Sequence, residues 1–321
     1  MKVLIIGGAG YIGSHCNKYF QECGIDTTVL DNLSAGHIES IGNSKFIQGD
    51  FGDSEFINAV LKEGKYDAII HFAASADVPD SIKNPNKYYK NNVSNFITLL
   101  DAMVKNDLHY IVFSSSASVY GNPVYTPIDE YHPKSPISPY GMSKLFGEQM
   151  LLDYYQAYGI KYCSLRYFNA CGAYPDASIG ESHFPERHLI PLILKSINRT
   201  PLTIYGNDYS TKDGTCIRDY IHVLDMADAH YKALNYIIRN NTSACFNLGS
   251  NIGYSILEII NICEEVTSYK IMYEYANRRE GNPQILLAGN KKAKDILEWD
   301  AKKDIYQIVE DAWKWECNRK Y

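Results

Sequence analysis

Tyr140 and Lys144 stand four residues apart in Tyr140-Gly141-Met142-Ser143-Lys144, a spacing that puts both on one face of a helix. A tyrosine with its ordinary pKa of about 10 is a poor base at neutral pH. A neighbouring ammonium stabilises the phenolate and makes proton transfer feasible. Upstream, Ser114-Ser115-Ser116-Ala117-Ser118-Val119-Tyr120-Gly121 offers hydroxyls to bridge that phenol and a substrate oxygen. Near the N-terminus, Gly7-Gly8-Ala9-Gly10-Tyr11-Ile12-Gly13 satisfies Gly-x-Gly-x-x-Gly from Gly8 and Gly-x-x-Gly-x-x-Gly from Gly7. Glycines at those positions allow a tight turn, approach of backbone to a pyrophosphate, and close helix–strand packing. The anion then rests on free N–H groups at a helix N-terminus. Asp31 lies 18 residues past Gly13, near the separation of about 20 at which a carboxylate meets the adenosine ribose. Its charge repels a 2′-phosphate, so NAD is expected rather than NADP. Asp50, after the third expected strand, is placed to meet adenine.

The elements that must position these groups alternate. Val3–Ile6, Thr28–Leu30, Phe46–Ile47, Ala68–Phe72 and Tyr110–Phe113 are short, often β-branched runs bounded by Gly, Asp or Ser, as strands are. Helical stretches lie between them, Tyr11–Glu22 and Asn86–Lys105 among them. Near-continuous apolar strands alternating with helices predict an α/β fold, a Rossmann-type doubly wound parallel sheet. A long helix is expected from Ser138-Pro139 to about Ala157, and Lys161–Tyr167 reads as another strand. Beyond Asn169 the periodicity weakens. Strands at Leu202–Tyr205, Cys245–Leu248 and Ile271–Tyr275 and a helix at Ile256–Val266 suggest a smaller C-terminal α/β lobe. The expected division is 1–168 for the dinucleotide domain and 169–321 for the substrate lobe, with the chain free to cross between them.

Composition excludes much else. The 321 residues are 45% hydrophobic and 21% charged, with a formal net charge of −6. That is an ordinary globular composition, neither disordered nor of low complexity. The acidic balance argues against nucleic-acid or anionic-membrane partners, which need clustered Lys and Arg. No apolar run approaches a membrane span. Eight scattered cysteines show neither metal-ligand spacing nor scaffold density, so reduced thiols and a cytoplasmic location are expected. Glu181, His183, Glu186 and His188 fit no helix-borne metal motif such as His-Glu-x-x-His, and no metal is expected.

Taken in order, these elements resemble the extended short-chain dehydrogenase/reductase superfamily. Further segments narrow the resemblance to its UDP-glucose 4-epimerase family. They are His71-Phe72-Ala73-Ala74, Tyr88–Val93, Leu165–Asn169, Gly206-Asn207-Asp208-Tyr209, Arg218-Asp219-Tyr220-Ile221-His222-Val223 and Arg278-Arg279-Glu280-Gly281. The last two discriminate most, and together the segments cover nearly the whole chain. The resemblance implies NAD-dependent interconversion of UDP-galactose and UDP-glucose through a 4-keto sugar, in galactose metabolism, by a homodimer. Tyr140 would be the acid/base, Lys144 its partner and ribose ligand, and Ser116 the hydroxyl at the sugar O4. Gly7, Gly10, Tyr11, Ile12, Gly13, Asp31, Asn32, Asp50, Phe51, Phe72, Ala73, Ala74, Asn91 and Phe168 would line the cofactor. Asn169, His188, Leu189, Tyr205, Arg218, Arg279 and Asn282 would hold the UDP-sugar, arginine being suited to phosphate by its planar fork. An ungapped alignment from Arg279 brings Leu286 beside the turned-over sugar. The chain departs from the family pattern at Asn282, where many members have Asp, and at Ala76, where some have Lys. A 4,6-dehydratase needs a carboxylate pair in the serine loop, and Ser115-Ser116-Ala117-Ser118 has none. A non-catalytic dinucleotide sensor would lack Tyr140 or Lys144, and both are present.

Overall fold

The computed structural model describes residues 1–279 and 283–321. Along the first half run β1 (Lys2–Ile6), α1 (Tyr11–Glu22), β2 (Asp26–Asp31), β3 (Lys45–Gln48), α2 (Ser54–Gly64), β4 (Ala68–His71), α3 (Val78–Lys83), α4 (Pro85–Tyr89), α5 (Asn95–Lys105), β5 (Tyr110–Ser116), α6 (Pro139–Tyr158) and β6 (Lys161–Tyr167). A π-helical turn, Lys90–Ser94, joins α4 to α5. There follow β7 (Asn169–Cys171), α7 (Leu189–Ser196), β8 (Leu202–Tyr205), β9 (Ile217–His222), α8 (Val223–Asn240), β10 (Ala244–Leu248), β11 (Gly253–Ser255), α9 (Ile256–Thr267), β12 (Tyr273–Ala276), β13 (Ile285–Leu286), α10 (Lys291–Leu297) and α11 (Ile305–Cys317).

Alternation along β1 decides the layering, because successive strand side chains point to opposite faces. Val3 and Ile5 pack with Phe20, Val112, Leu165 and the apolar face of α8. Leu4 and Ile6 pack with Ile57, Leu99, Leu100 and Met103 from α2 and α5. With both faces covered, the sheet is wholly parallel, as expected when helices shield it from water. Its strand order is β10-β6-β5-β4-β1-β2-β3, the doubly wound order extended by one strand. The order reverses between β1 and β4, and ligands of such sheets sit outside the carboxyl ends of the strands at that crevice.

The boundary at 168/169 does not divide the chain cleanly. β10 pairs in parallel with β6, and Met226, Ala233, Leu234 and Ile237 of α8 join the first sheet's core, as do Ala293, Leu297 and Trp299. Without β10 the β6 edge would present unpaired N–H and C=O groups. The smaller lobe has its own core, with Ile190, Ile193, Ile259, Cys263, Ile308 and Val309 buried together. β9 lies between β11 and β13, with β7 also pairing to it, and β8 pairs with β12. Among the described residues, no helix is long and apolar enough to cross a membrane.

Candidate active site

The crevice between β1 and β4 is built by close backbone contact. Gly7 takes φ +79°, and a Cβ there would fall 2.4 Å from the Ala73 amide nitrogen. A Cβ on Gly13 would fall 2.3 Å from the Gly7 carbonyl oxygen. Any side chain at either place would force the turn off β1 or α1 off the sheet. Phe72 and Ala73 both donate their N–H to the Ile6 carbonyl, at 2.8 and 3.1 Å, which draws the end of β4 against the glycine turn. Gly10 opens α1 without a side-chain cap and without an acidic residue in the first turn. The first amides of α1, those of Tyr11 and Ile12 among them, therefore have no side-chain cap and could receive an anion. The Tyr11 hydroxyl is turned away, donating to the Gly172 carbonyl at 2.6 Å.

Asp31 ends β2 beside this cradle. Its carboxylate accepts from the Ala9 and Leu33 amides at 3.0 and 2.8 Å, and burial raises its pKa against the pull of those bonds. Asn32 donates to Asp50 at 3.2 Å, and Asp50 also accepts from the Gly52 amide at 2.8 Å. Asp50 is exposed, whereas Phe51 is buried edge-on to His71. Phe72 and Ala74 are half-buried, Phe72 against the His230 ring. This cradle, with a carboxylate at the end of the neighbouring strand, fits the adenosine and pyrophosphate of a dinucleotide.

Across the crevice, α6 carries Tyr140 and Lys144. Ser138 caps its N-terminus by accepting from the Gly141 amide at 3.1 Å, Pro139 fills the first turn, and Gly159 ends it in the left-handed region. The Lys144 ammonium donates to the Ser114 carbonyl at 2.7 Å and lies 6.0 Å from the Tyr140 ring centroid. Lys144 is 3% exposed, and burial pulls its pKa down to about 7. Burial pushes the Tyr140 phenol up, while the Ser116 hydroxyl within hydrogen-bond reach pulls it down. The Ser116 hydroxyl thus adds a hydrogen bond that favours the phenolate beside the Lys144 ammonium. Both members of the pair are pushed toward their neutral forms. The charged pair therefore depends on mutual attraction between ammonium and phenolate. Ser116 itself caps the following turn by accepting from the Ser118 amide at 3.1 Å.

Sequence reasoning passed over three residues here. Asn91 is half-buried and donates to Asn92 at 3.1 Å. Its buried neighbour Asn92 makes the structural link. Asn92 holds both backbone groups of Ser75 and donates to the Ser143 hydroxyl at 3.0 Å, tying the loop after β4 to α6. The π-helical turn sets that pointing, and no regular 3.6 periodicity foretells it. Glu148 and Arg166 form the second link. Arg166 grips both Glu148 oxygens at 2.7 and 2.6 Å and donates to the Tyr120 hydroxyl at 2.8 Å. Ser115 donates to Glu148 at 2.6 Å, and Tyr120 donates to Asn247 at 2.6 Å. Glu148 sits one helical turn beyond Lys144, so this buried network clamps α6 to β5, β6 and β10. The only sequence signal was the continued spacing of four from Tyr140 through Lys144 to Glu148.

The residues expected to hold a nucleotide-sugar come from the smaller lobe. Asn169 donates to the Asp219 carbonyl at 2.7 Å, locking β7 to β9 beside Arg218. Arg218 is half-buried and donates to the Ile217 carbonyl at 2.7 Å. Arg279 lies over the Tyr205 ring at 3.8 Å. Leu189 begins α7, and His188, just before it, is exposed and paired with Glu181. Asn282 lies outside the described residues. Leu286 stands opposite Arg218 in the β13–β9 ladder. It packs with Phe168 and Leu145 onto Val119, Tyr120 and Ile128, which joins the serine loop to the second lobe.

The family model described as NAD dependent epimerase/dehydratase matches residues 3–249. A UDP-glucose 4-epimerase of Lacticaseibacillus casei is 48% identical over 322 residues, covering 99% of this chain and 97% of that protein. The solved UDP-glucose 4-epimerase of Brucella ovis, in complex with NAD, superposes with a TM-score of 0.95 at 41% identity. That match covers 98% of this chain and 97% of the other. The UDP-Glc/GlcNAc 4-epimerase of Campylobacter jejuni superposes with a TM-score of 0.86 at 39% identity, over 99% of both chains.

Proposed function

The chain belongs to the NAD dependent epimerase/dehydratase family, and from that premise we propose that it interconverts UDP-glucose and UDP-galactose with NAD as cofactor. The observation that carries the reading is the meeting of Tyr140, Lys144 and Ser116 across the crevice from the glycine cradle, in a chain that matches UDP-glucose 4-epimerases end to end.

Gly7, Gly10, Tyr11, Ile12 and Gly13 would cradle the pyrophosphate of NAD and Asp31 its adenosine ribose. Asn32, Asp50, Phe51, Phe72, Ala73, Ala74, Asn91 and Phe168 would line the remainder. When bound, NAD supplies the acceptor and donor of a hydride at the sugar C4. Ser116 orients the 4-hydroxyl toward Tyr140, and the Tyr140 oxygen takes its proton and later returns it. Lys144 holds positive charge beside the phenolate so formed, compensating the two burial penalties described above. Asn169, His188, Leu189, Tyr205, Arg218, Arg279 and Asn282 would retain the UDP moiety while the sugar turns over. Incubation with UDP-galactose and no second substrate should yield UDP-glucose in a coupled assay. Absence of product from NAD-loaded protein would refute the assignment.

Protein purified without added nucleotide and then denatured should release NAD(H). A 2′-phosphate would meet the charge of Asp31, whose carboxylate is already held by two amides. Asp31→Ala should weaken retention and relax the preference against NADP(H). Mass spectrometry that finds only NADP(H) would overturn this placement.

We also assign a homodimer through α5 and α6. Ile97, Val104, Phe146 and Leu152 are each more than a third exposed on these adjacent helices, a grouping typical of contact surfaces. Ile97→Glu with Phe146→Glu should convert the dimer to monomer in sedimentation equilibrium. A monomeric wild type would exclude it. All eight cysteines are free, which supports a cytoplasmic location.

A further inference from the structure

Glu181, His183, Glu186 and His188 lie in the irregular segment between β7 and α7, where their spacing alone suggested nothing. The fold gathers them: one ligand atom from each side chain lies within 4.8 Å of all the others. Glu181 is buried, and its Oε1 faces two imidazole nitrogens, 3.1 Å from His183 Nδ1 and in close contact with His188 Nδ1. Glu186 Oε1 is 3.8 Å from His183 Nδ1. The Glu181 backbone is anchored by Trp315, whose indole donates to its carbonyl at 2.9 Å. Tyr11 stands edge-on to His183, with ring centroids 6.2 Å apart. The exposed His188 leaves an entry path from solvent.

We propose that these four side chains form a zinc site with two imidazole nitrogens and two carboxylate oxygens as ligands. A tetrahedral shell with bonds of 2.0–2.2 Å spaces its ligand atoms about 3.3 Å apart, so the longer separations, up to 4.8 Å, must shorten while the two imidazoles draw back slightly from Glu181. The mixed nitrogen and oxygen set suits Zn²⁺ better than Ca²⁺ or Mg²⁺, which prefer oxygen alone. The charge balance points the same way. Two carboxylates face this small space, and Lys195, 3.1 Å from Glu186 Oε2, offsets one of them. The site would clasp the segment leading into α7 against α1 and α11, and a zinc-bound His188 would be fixed at the position assigned above to the UDP moiety.

The test uses the full chain, treated with chelator, dialysed and titrated with ZnCl2 by calorimetry. One equivalent should bind, and the thermal midpoint should rise on loading. Glu181→Gln and His183→Ala should each weaken binding by about 10–100-fold or more. Lys195→Met, which removes the cation bonded to Glu186, should tighten it. Co²⁺ in place of Zn²⁺ should give tetrahedral visible bands without thiolate charge transfer, excluding the exposed Cys23 and Cys317 as ligands. If Glu181→Gln fails to fold, His188→Asn, altered at an exposed side chain, carries the same comparison. Absence of stoichiometric binding, a need for millimolar Zn²⁺, or undiminished binding in these variants would overturn the site.

Discussion

Tyr140→Phe should lower turnover by about 10²–10⁴-fold, the usual scale for removing an acid/base, while fold and bound NAD persist. The substitution deletes one oxygen and no ring volume, so packing on α6 is retained. It takes away the atom that the Ser116 hydroxyl approaches and that burial otherwise keeps protonated. Lys144 would keep its bond to the Ser114 carbonyl, so the loss belongs to the proton transfer rather than to a displaced lysine. Single-turnover measurement of UDP-galactose conversion, with released NAD quantified after denaturation, separates chemistry from cofactor loss. Near-wild-type turnover would move the acid/base to another group, and loss of NAD together with activity would make Tyr140 a structural residue.

Arg166→Met should cost about 3–5 kcal/mol of stability, the scale for leaving one partner of a buried ion pair unpaired. Glu148 is 8% exposed and Arg166 3%, so without Arg166 the carboxylate keeps only the Ser115 hydroxyl and a half-exposed Lys134 at 3.9 Å, which compensate its charge poorly. The Tyr120 hydroxyl loses its donor as well. Because Glu148 is on the helix that carries Tyr140 and Lys144, kcat should fall more than KM rises. A displacement of about 1 Å at the reacting groups can cost about 10²-fold. Arg166→Met combined with Glu148→Leu should recover part of both losses by removing the uncompensated charge. Denaturant unfolding of the two single variants and the double variant gives the coupling directly. An Arg166→Met protein with wild-type stability and kcat would show that the network does not position α6.

Much of the first lobe was legible because its determinants are local. The turn Gly7–Gly13 needs glycine wherever backbone meets backbone, and that requirement is written at fixed offsets. Tyr140 and Lys144 share a face because helical spacing alone dictates it. Strand positions were found within a residue or two for β1, β6 and β8, whose apolar runs are sharply bounded. β5 ran three residues further than its apolar run, since Ser114, Ser115 and Ser116 pair in register with β6 and are buried there.

The sequence by itself determined the glycine turn between β1 and α1, the parallel doubly wound core and the tyrosine–lysine pairing on one helix. Each is a relation between residues in one element or across one turn, where sterics and helical or strand period leave little choice. Only the tertiary structure decided that residues 223–248 return to the first sheet, because an unpaired β6 edge can be covered by any suitable strand, however distant in the chain. It also decided that Asn92 holds the loop after β4, since the π-helical turn rotates the following residues out of regular phase. The Glu148–Arg166 clamp joins residues 18 apart on two elements, α6 and β6, and reaches β5 and β10 through Ser115 and Tyr120. The Glu181, His183, Glu186 and His188 cluster depends on how an irregular segment folds back against α1 and α11. Such meetings depend on which surfaces the assembled core leaves facing one another, and no periodicity within a single segment encodes that.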